Sequence, residues 1–433
     1  MVKVMKRVQG AEDSRVQVKS KENNKKGSRI RMVKDVAAAF RLRQSTQAKA
    51  CGYKNPPFAE LLPCTIPSFL IVMVLILLLT PYFLYADSGK ERPHGDTTKL
   101  LKGCASCHKG HGVYNTPMLS ERKEIYCFRC HGHSMYVEQA KRVGDIARDV
   151  MTLDIQEEFE KPYHHPIEKI GIHRYGERLP EVDASMPRHS ACGDCHHHHF
   201  VKEENKMSGI RGTNKDGVKV RITSEYELCF NCHSYSANLP ADQTNKAEIF
   251  NISNPSFHPI ITFGKNTDVP SLVPPLTTSS LIKCTDCHNS EDSAGPKGPH
   301  GSTYRYILAK NYTTTDGAEG PFQYELCYSC HRRSSILSDE GFQLHNFHIS
   351  MVGTSCSTCH NPHGSIQYTH LIDFNRASVM PSNSGQLGYT DFGSRAGQCS
   401  LNCHGKDHDP AVYPGTVPTY SPSHYPSRYP LKR

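Results

Sequence analysis

The sequence predicts short α-helices and extensive loops, with little β-structure and one hydrophobic helix near the N-terminus. Hydrophobic residues make up only 37% of the 433 residues, so either much of the chain is unstructured or something other than side chains fills part of the interior. Glycine and proline number 31 and 28, which predicts many turns and loops. The 18 cysteines are too few for a small disulfide scaffold and too many for an ordinary cytosolic enzyme.

Only one apolar run, residues 66–85, is long enough to cross a bilayer. A polytopic membrane protein needs several such runs, so this class is excluded. Its centre, residues 69–79, suits the core of a signal peptide with cleavage before Asp87. The full run could also span a membrane as an uncleaved anchor. Both interpretations of segment 64–86 predict export of the rest of the chain to the periplasm or cell surface, with an inner-membrane attachment if the segment is retained.

The net charge of +9 belongs to the N-terminal region. Residues 1–86 hold 15 basic and 5 acidic side chains, so the region 1–63 is expected to stay on the cytoplasmic side. The remaining residues hold 36 basic and 37 acidic side chains. A nearly neutral body removes the main support for nucleic-acid binding.

Sixteen cysteines after the apolar run form eight pairs, and a histidine follows the second cysteine of every pair. Seven pairs are C-x-x-C-H: Cys104/Cys107/His108, Cys127/Cys130/His131, Cys192/Cys195/His196, Cys229/Cys232/His233, Cys284/Cys287/His288, Cys327/Cys330/His331 and Cys356/Cys359/His360. The eighth, Cys399/Cys403/His404, has one more residue between its cysteines. The motifs are expected on short helices whose ends present the histidines.

This pattern is typical of covalent c-type haem attachment. Two thiols three residues apart can add to the two vinyl groups of one porphyrin, and the adjacent histidine can bind the iron. The sequence therefore predicts eight haem c groups, with the eighth motif as a variant site. Zinc ribbons are the weaker alternative, because they do not need a histidine after each second cysteine.

The motifs form a fourfold internal repeat of motif pairs. We assign repeat one to residues 87–140, a spacer helix over 141–159 with repeat two to 141–240, repeat three to 241–340 and repeat four to 341–409. The Pro-, Tyr- and Ser-rich tail, 410–433, is expected to be extended and solvated.

Eighteen histidines lie outside the motifs, enough to supply a second ligand to every iron. One follows the first motif of each repeat and one precedes it, and these are the candidate distal ligands: His94, His111, His165, His199, His258, His300, His348 and His363. His164 could replace His165, His197 or His198 could replace His199, and His370 or His408 could displace another candidate. Methionines recur at no fixed offset, so the sequence predicts bis-histidine haems.

The paired motifs, with residues 361–365 (Asn-Pro-His-Gly-Ser), resemble the doubled CXXCH multihaem cytochromes of metal-reducing and sulfur-metabolising bacteria. Residues 370–375, ahead of Cys399, are similar to the last repeat of those proteins. The resemblance covers roughly residues 90–410. It implies close haem pairs in a chain, a periplasmic or cell-surface location, and electron transfer rather than catalysis. The short spacing in repeat one and the histidine-free loop 200–228 depart from the pattern.

The predicted function is electron transfer along bis-histidine haems, in respiratory or extracellular electron transfer, with no catalytic residue. Expected partners are other redox proteins or cytochromes, further copies of this chain, or an extracellular metal acceptor. Haem propionates would make the body acidic and favour a cationic partner. The alternative function is a multihaem reductase of a small nitrogen or sulfur compound, which would keep one iron open.

Overall fold

In the computed structural model of the chain, residues 92–112, 118–167, 189–235, 239 and 244–413 are described, and they lie within the compact unit Ala86–Arg433. The predicted basic region, the apolar segment 64–86 and tail residues 414–433 lie outside the described residues. Within the described part, no helix combines the length and the apolar character that crossing a membrane requires.

The described helices are short, as the sequence predicts. The two longest, nine residues each, are α1 (Lys123–His131) and α2 (Ser134–Arg142). The others are α3 (Gln156–Glu160), α4 (Cys192–Cys195), α5 (Tyr226–His233), α6 (Lys246–Ile249), α7 (Cys284–Cys287), α8 (Glu325–Tyr328), α9 (Arg333–Leu337) and α10 (Cys356–Cys359). Pro93–Gly95 and Gly103–Ser106 form 3-10 turns, and Phe347–Met351 forms a π-helical turn.

The predicted spacer helix over residues 141–159 is wrong. The helix α2 stops just before Gly144, whose φ of +71° does not continue a right-handed helix. The backbone N–H of Ala147 instead donates to the carbonyl of Lys99, 2.9 Å away in repeat one. Ile146 is buried in a small hydrophobic cluster. The helix-like spacing of apolar residues here comes from a loop that packs onto repeat one.

Most strands are two or three residues long and pair in antiparallel ladders. β1 (Tyr163–His164) pairs with β5 (Gly301–Ser302), β2 (Arg211–Thr213) with β3 (Lys219–Arg221), and β4 (Ser256–Phe257) with β6 (Gly364–Ser365). The β2–β3 ladder lies within the histidine-free loop 200–228. The other two ladders join segments of consecutive repeats.

The C-terminal region contains more β-structure than the sequence predicts. β9 (Ala396–Cys403) pairs antiparallel with β7 (Val379–Met380), β8 (Gly388–Gly393) and β10 (Lys406–Tyr413). The first four residues of the predicted tail, 410–413, therefore belong to a sheet. The eighth motif lies in the central strand of this sheet.

Three small hydrophobic clusters are found in the described residues, each built on three or four buried side chains. They are Leu100, Val137, Ala140 and Ile146; Phe230, Ala247, Phe250 and Phe257; and Phe374, Val379 and Leu401. Clusters of this size agree with the low hydrophobic content of the sequence. Side chains alone therefore provide little of the core that a chain of this length normally buries.

Candidate haem-binding sites

Most cysteines of the seven C-x-x-C-H motifs lie on short helical turns. In α4, α7 and α10 the helix begins at the first cysteine and ends at the second. Residues three apart on a helix lie on one face, about 5–6 Å apart between Cβ atoms. Both thiols of such a motif can therefore meet the same edge of one flat ring.

Cys232 departs from this arrangement, because its motif does not form a separate turn. It lies inside the helix α5, which begins three residues before Cys229 and continues through His233. Its thiol is among the groups that raise the pKa of Cys195, after burial and Asp194. The two motifs of repeat two therefore lie near each other, and the assignment of Cys232 as a haem anchor stays a prediction.

Cys330 departs in the opposite direction, and the expectation of a helix across the motif is wrong there. The helix α8 ends at Tyr328, two residues earlier. The backbone N–H of Cys330 instead donates to the carbonyl of Cys327 (3.2 Å), and its own carbonyl accepts from the N–H of Val273 (2.9 Å). A hydrogen bond within the motif thus closes this turn, a tertiary contact adds to it, and the assignment of Cys330 as a haem anchor also stays a prediction.

The same backbone hydrogen bond places the motif histidine at the end of its turn. The N–H of His288 donates to the carbonyl of Cys284 (2.8 Å), and the N–H of His360 donates to that of Cys356 (2.9 Å). The bond also occurs at His108, His196 and His331. The motif sequence thus determines its own local geometry.

The motif cysteines form no disulfide bond, and all sixteen lie in the described residues. Burial raises the pKa of Cys195, Cys287 and Cys359 to about 12, so these thiols are neutral at neutral pH. Zinc sites need converging thiolate or imidazole donors. Among the described residues, no group of three or more His, Cys, Asp or Glu side chains is arranged to hold a metal ion.

The rings of seven motif histidines each lie opposite a second imidazole. The centres of the two rings are 5.9–6.4 Å apart in every pair. The pairs are His108 with His199, His131 with His94, His196 with His300, His233 with His165, His288 with His363, His331 with His258, and His360 with His345.

This separation fits one iron between two imidazoles. A metal–imidazole bond is about 2 Å long and the ring centre lies roughly 1 Å beyond the nitrogen, so two rings bound to one iron have centres roughly 6 Å apart. Aromatic side chains can also pack at this distance without a metal. What favours haem is that the same separation recurs at seven motif histidines.

Hydrogen bonds to carbonyl oxygens hold several of these imidazoles in one tautomer. The Nδ1–H of His288 donates to the carbonyl of Tyr306 (2.8 Å), and that of His360 donates to the carbonyl of His370 (3.0 Å). His196 donates in the same way to Lys206 (3.0 Å). A proton on Nδ1 leaves the lone pair on Nε2, which is the arrangement of most metal-binding histidines.

Burial favours the neutral form of five imidazoles in these pairs. It lowers the pKa of His131, His300 and His331 to about 4, and that of His345 and His363 to about 3, helped by neighbouring imidazoles. Only a neutral imidazole has a lone pair to give to a metal. The residues at the seven C-x-x-C-H motifs therefore fit haem iron.

The structure brings six of the eight distal candidates against a motif histidine: His94, His165, His199, His258, His300 and His363. His111 is exposed and belongs to none of the ring pairs in the described residues. The seventh facing imidazole, that of His345, is not among the candidates from the sequence. It precedes His348 by three residues, and the simple rule of one histidine ahead of each first motif overlooked it.

The alternative candidates have other contacts. His370 hydrogen-bonds through one ring nitrogen to Asn266 (3.2 Å) and through the other to Asp391 (3.0 Å), while its carbonyl accepts from His360. His164 hydrogen-bonds to the carbonyl of Lys161 (2.6 Å). His197 and His198 stack on each other, with ring centres 5.5 Å apart.

The eighth motif has a different local structure. Cys399 and Cys403 both lie in the strand β9, which places their Cα atoms about 13 Å apart at 3.3 Å per residue. His404 and Gly405 form the two-residue turn to β10, and both have positive φ (51° and 74°). The extra residue thus converts a helical turn into a hairpin.

The ring of His404 faces a carboxylate, whereas the rings of the other motif histidines each face an imidazole. Its Nε2 lies 3.3 Å from a carboxylate oxygen of Asp316. The distal candidate His348 instead faces His408, with ring centres 6.5 Å apart. The residues of the eighth motif therefore fit a haem less completely than the other seven.

Two family models match the chain. One, described as the doubled CXXCH motif, matches residues 98–136, and the other, described as cytochrome c554 and c-prime, matches residues 283–361. Comparison with curated proteins and with solved structures gives no match. The matched segments contain the first motif pair and the third motif pair with the seventh motif. These matches support a multihaem c-type cytochrome that binds haem c through its CXXCH motifs.

Proposed function

We propose that this protein is an octahaem electron carrier in which every iron has two histidine ligands. The seven imidazole pairs, with their common separation of 5.9–6.4 Å, carry this proposal. The motif histidine is the proximal ligand of each haem and the facing imidazole is the distal one. At the eighth motif the proposal rests on the Cys399 and Cys403 thiols and on three nearby histidines, at positions 348, 404 and 408.

The residues of the chain would hold the irons rather than react with a substrate. Bound haem iron supplies reversible one-electron transfer. Two imidazoles, oriented by a motif turn or by a hydrogen bond to a carbonyl, can keep the same contacts in both oxidation states of the iron. An iron with both axial positions filled has no place for a substrate, which favours a carrier over an enzyme.

We propose that the body of the protein is exported and works in the periplasm or at the cell surface. Haem c proteins are typically exported, and the near-neutral body becomes acidic once propionates are added. Its partners would be other redox proteins, with cationic surfaces favoured. Transfer to an extracellular metal acceptor is the corresponding proposal for the terminal step.

Haem count and iron spin state test the proposal. A pyridine-haemochrome assay with the intact mass of the purified protein should give eight covalent haems per chain. Seven haems would overturn the octahaem count, and the eighth motif would be the site to lose. Electron paramagnetic resonance of the oxidised protein should show low-spin ferric haem, whereas a substantial high-spin signal would favour the reductase.

A further inference from the structure

Each junction between consecutive repeats has the same arrangement of two histidines. We call the histidine that precedes each first motif the lead-in histidine (His94, His165, His258 and His348). We call the histidine that follows the first motifs of repeats two, three and four the crossing histidine (His199, His300 and His363). The lead-in histidine comes from one repeat and the crossing histidine from the next.

The ring of each lead-in histidine hydrogen-bonds to the carbonyl that directly precedes a crossing histidine. The Nδ1–H of His94 donates to the carbonyl of His198 (2.7 Å), and that of His165 donates to the carbonyl of Pro299 (2.5 Å). The Nδ1–H of His258 donates to the carbonyl of Pro362. The three junctions thus share one hydrogen bond.

Backbone pairing holds the second and third junctions together. The N–H of His165 donates to the carbonyl of His300 (3.2 Å), and the N–H of His258 donates to that of His363 (3.1 Å). These bonds lie beside the β1–β5 and β4–β6 ladders. The lead-in segment therefore positions the crossing histidine of the next repeat.

At the second and third junctions, a glycine follows the crossing histidine and makes this approach possible. A Cβ on Gly301 would lie 1.7 Å from the carbonyl oxygen of Glu158, and one on Gly364 would lie 2.9 Å from that of Ser256. Both glycines belong to the sequence Pro-His-Gly-Ser. At these two junctions the residue after the crossing histidine is glycine because the preceding repeat packs there.

The crossing histidines face motif histidines of the preceding repeat. His199 lies opposite His108, with ring centres 6.0 Å apart, and His300 lies 6.1 Å from His196. His363 stands in the same relation to His288, at 6.1 Å. Each repeat thus directs an imidazole at the first haem site of the repeat before it.

Within repeat four, His345 takes the place of a crossing histidine. The Nδ1–H of the lead-in His348 donates to the carbonyl of Leu344 (2.8 Å), the residue directly before His345. The ring of His345 lies 6.3 Å from that of His360. At the other end, His111 occupies the crossing position of repeat one, has no preceding repeat, and is exposed.

We infer that the first haem of each repeat takes its distal ligand from the following repeat, and that His345 closes the series within repeat four. This inference rests on the proposed bis-histidine haems. Repeats one, two and three would then each need the following repeat to complete their first haem site, so the four repeats are not independent two-haem modules. No iron in this chain is assigned to His111.

Three single variants of the full-length haem-loaded protein test the inference. We expect His199→Ala and His345→Ala each to convert one haem per chain to high-spin ferric, with one carbon monoxide bound per chain after reduction. The matched control His111→Ala should leave every haem low-spin. A high-spin haem in His111→Ala, or an unchanged spectrum in His345→Ala, would overturn the inference.

Intact mass and a second substitution keep the test decisive. If His199→Ala loses a haem by mass, His199→Met provides a ligand of another type at the same position. One haem of His199→Met should then titrate at a higher potential, because methionine ligation raises the potential. Unchanged potentials would contradict the inference. High-spin haem in the unsubstituted protein would instead contradict the proposed function.

Discussion

The imidazole rings of His288 and His363 lie 6.1 Å apart with only 6° between their planes. The first ring belongs to the third repeat and the second to the fourth. Their backbone positions are determined separately, one by the turn α7 and the other by the β4–β6 ladder. Separate elements of two repeats thus bring these two imidazoles face to face.

Gly301→Ala should remove the distal histidine from one haem iron, although no ligand histidine is substituted. A Cβ at this position would lie 1.7 Å from the carbonyl oxygen of Glu158, so the backbone must move and His300 must move with it. We expect a loss of stability of about 1–3 kcal/mol. A single high-spin ferric haem per chain, that of His196, should appear in electron paramagnetic resonance.

Gly317→Ala is the matched control, because no atom lies within 4 Å of its added Cβ. It should leave both the melting temperature and the spin state unchanged. If Gly301→Ala also remains fully low-spin, the glycine does not position His300.

His348→Ala should leave the haem iron of the eighth motif without its distal ligand. The lead-in histidines of the first three repeats face the second motif of their own repeat, as His258 faces His331. By this rule His348 is the distal ligand of the haem at the second motif of repeat four. One new high-spin haem should appear in the oxidised protein.

The background Cys399→Ala/Cys403→Ala makes this measurement specific. Intact mass should show one haem fewer, and adding His348→Ala to this background should then produce no high-spin signal. A high-spin haem that persists in the combined variant would show that His348 binds a different iron. Comparing His404→Ala with His408→Ala in the unmodified background identifies the second ligand.

Asp145→Asn should destabilise repeat one. This carboxylate is only 2% exposed and accepts from Lys102 (3.0 Å), Lys109 (2.9 Å) and Arg129 (2.9 Å). Removing the negative charge leaves three cations facing each other, which we expect to cost about 2–3 kcal/mol. Thermal unfolding at pH 7 measures the loss, and Asp216→Asn in the exposed pair with Lys215 should change little.

The effect of Asp145→Asn should depend on pH. Burial by itself would raise the pKa of Asp145, but hydrogen bonds from Lys109 and Lys102 outweigh it and hold the pKa below its ordinary value of 3.8. The ion pairs therefore stabilise the fold fully above that ordinary value and lose their effect as the pH falls through the lower folded pKa. The difference in melting temperature should shrink below about pH 4. A constant difference down to pH 2 would contradict this account.

His370→Ala should leave all haems low-spin. The carbonyl of His370, not its ring, contacts the proposed ligand His360, and the ring hydrogen-bonds to Asp391 and Asn266. Alanine loses these side-chain bonds and adopts the positive φ of 55° less readily, so the melting temperature should fall by a few degrees. If one haem instead became high-spin in this variant, the His370 ring would be one of the iron ligands.

The order of residues along the chain predicted the haem attachment sites because these sites are local. Each motif spans five residues, and at His360 the helical turn and the histidine position follow from a hydrogen bond within the motif. The low hydrophobic content predicted an interior filled partly by groups other than side chains, and the three hydrophobic clusters of the described residues are small. The same reasoning failed for the spacer helix predicted over residues 141–159, because residues 143–155 form a loop whose Ile146 and Val150 pack onto repeat one.

The sequence by itself determined which residues can attach haem. It also showed that the histidines are numerous enough to give every iron a second ligand. Only the tertiary structure decided which imidazoles meet, because the partners are far apart in sequence. His94 and the carbonyl of His198, for example, are 104 residues apart and lie 2.7 Å apart in the fold. Spacing rules act over one helical turn, whereas ligand pairs form where ladders and junction hydrogen bonds bring two repeats together. His345 shows the difference: nothing in its local sequence distinguishes it, and its position opposite His360 does.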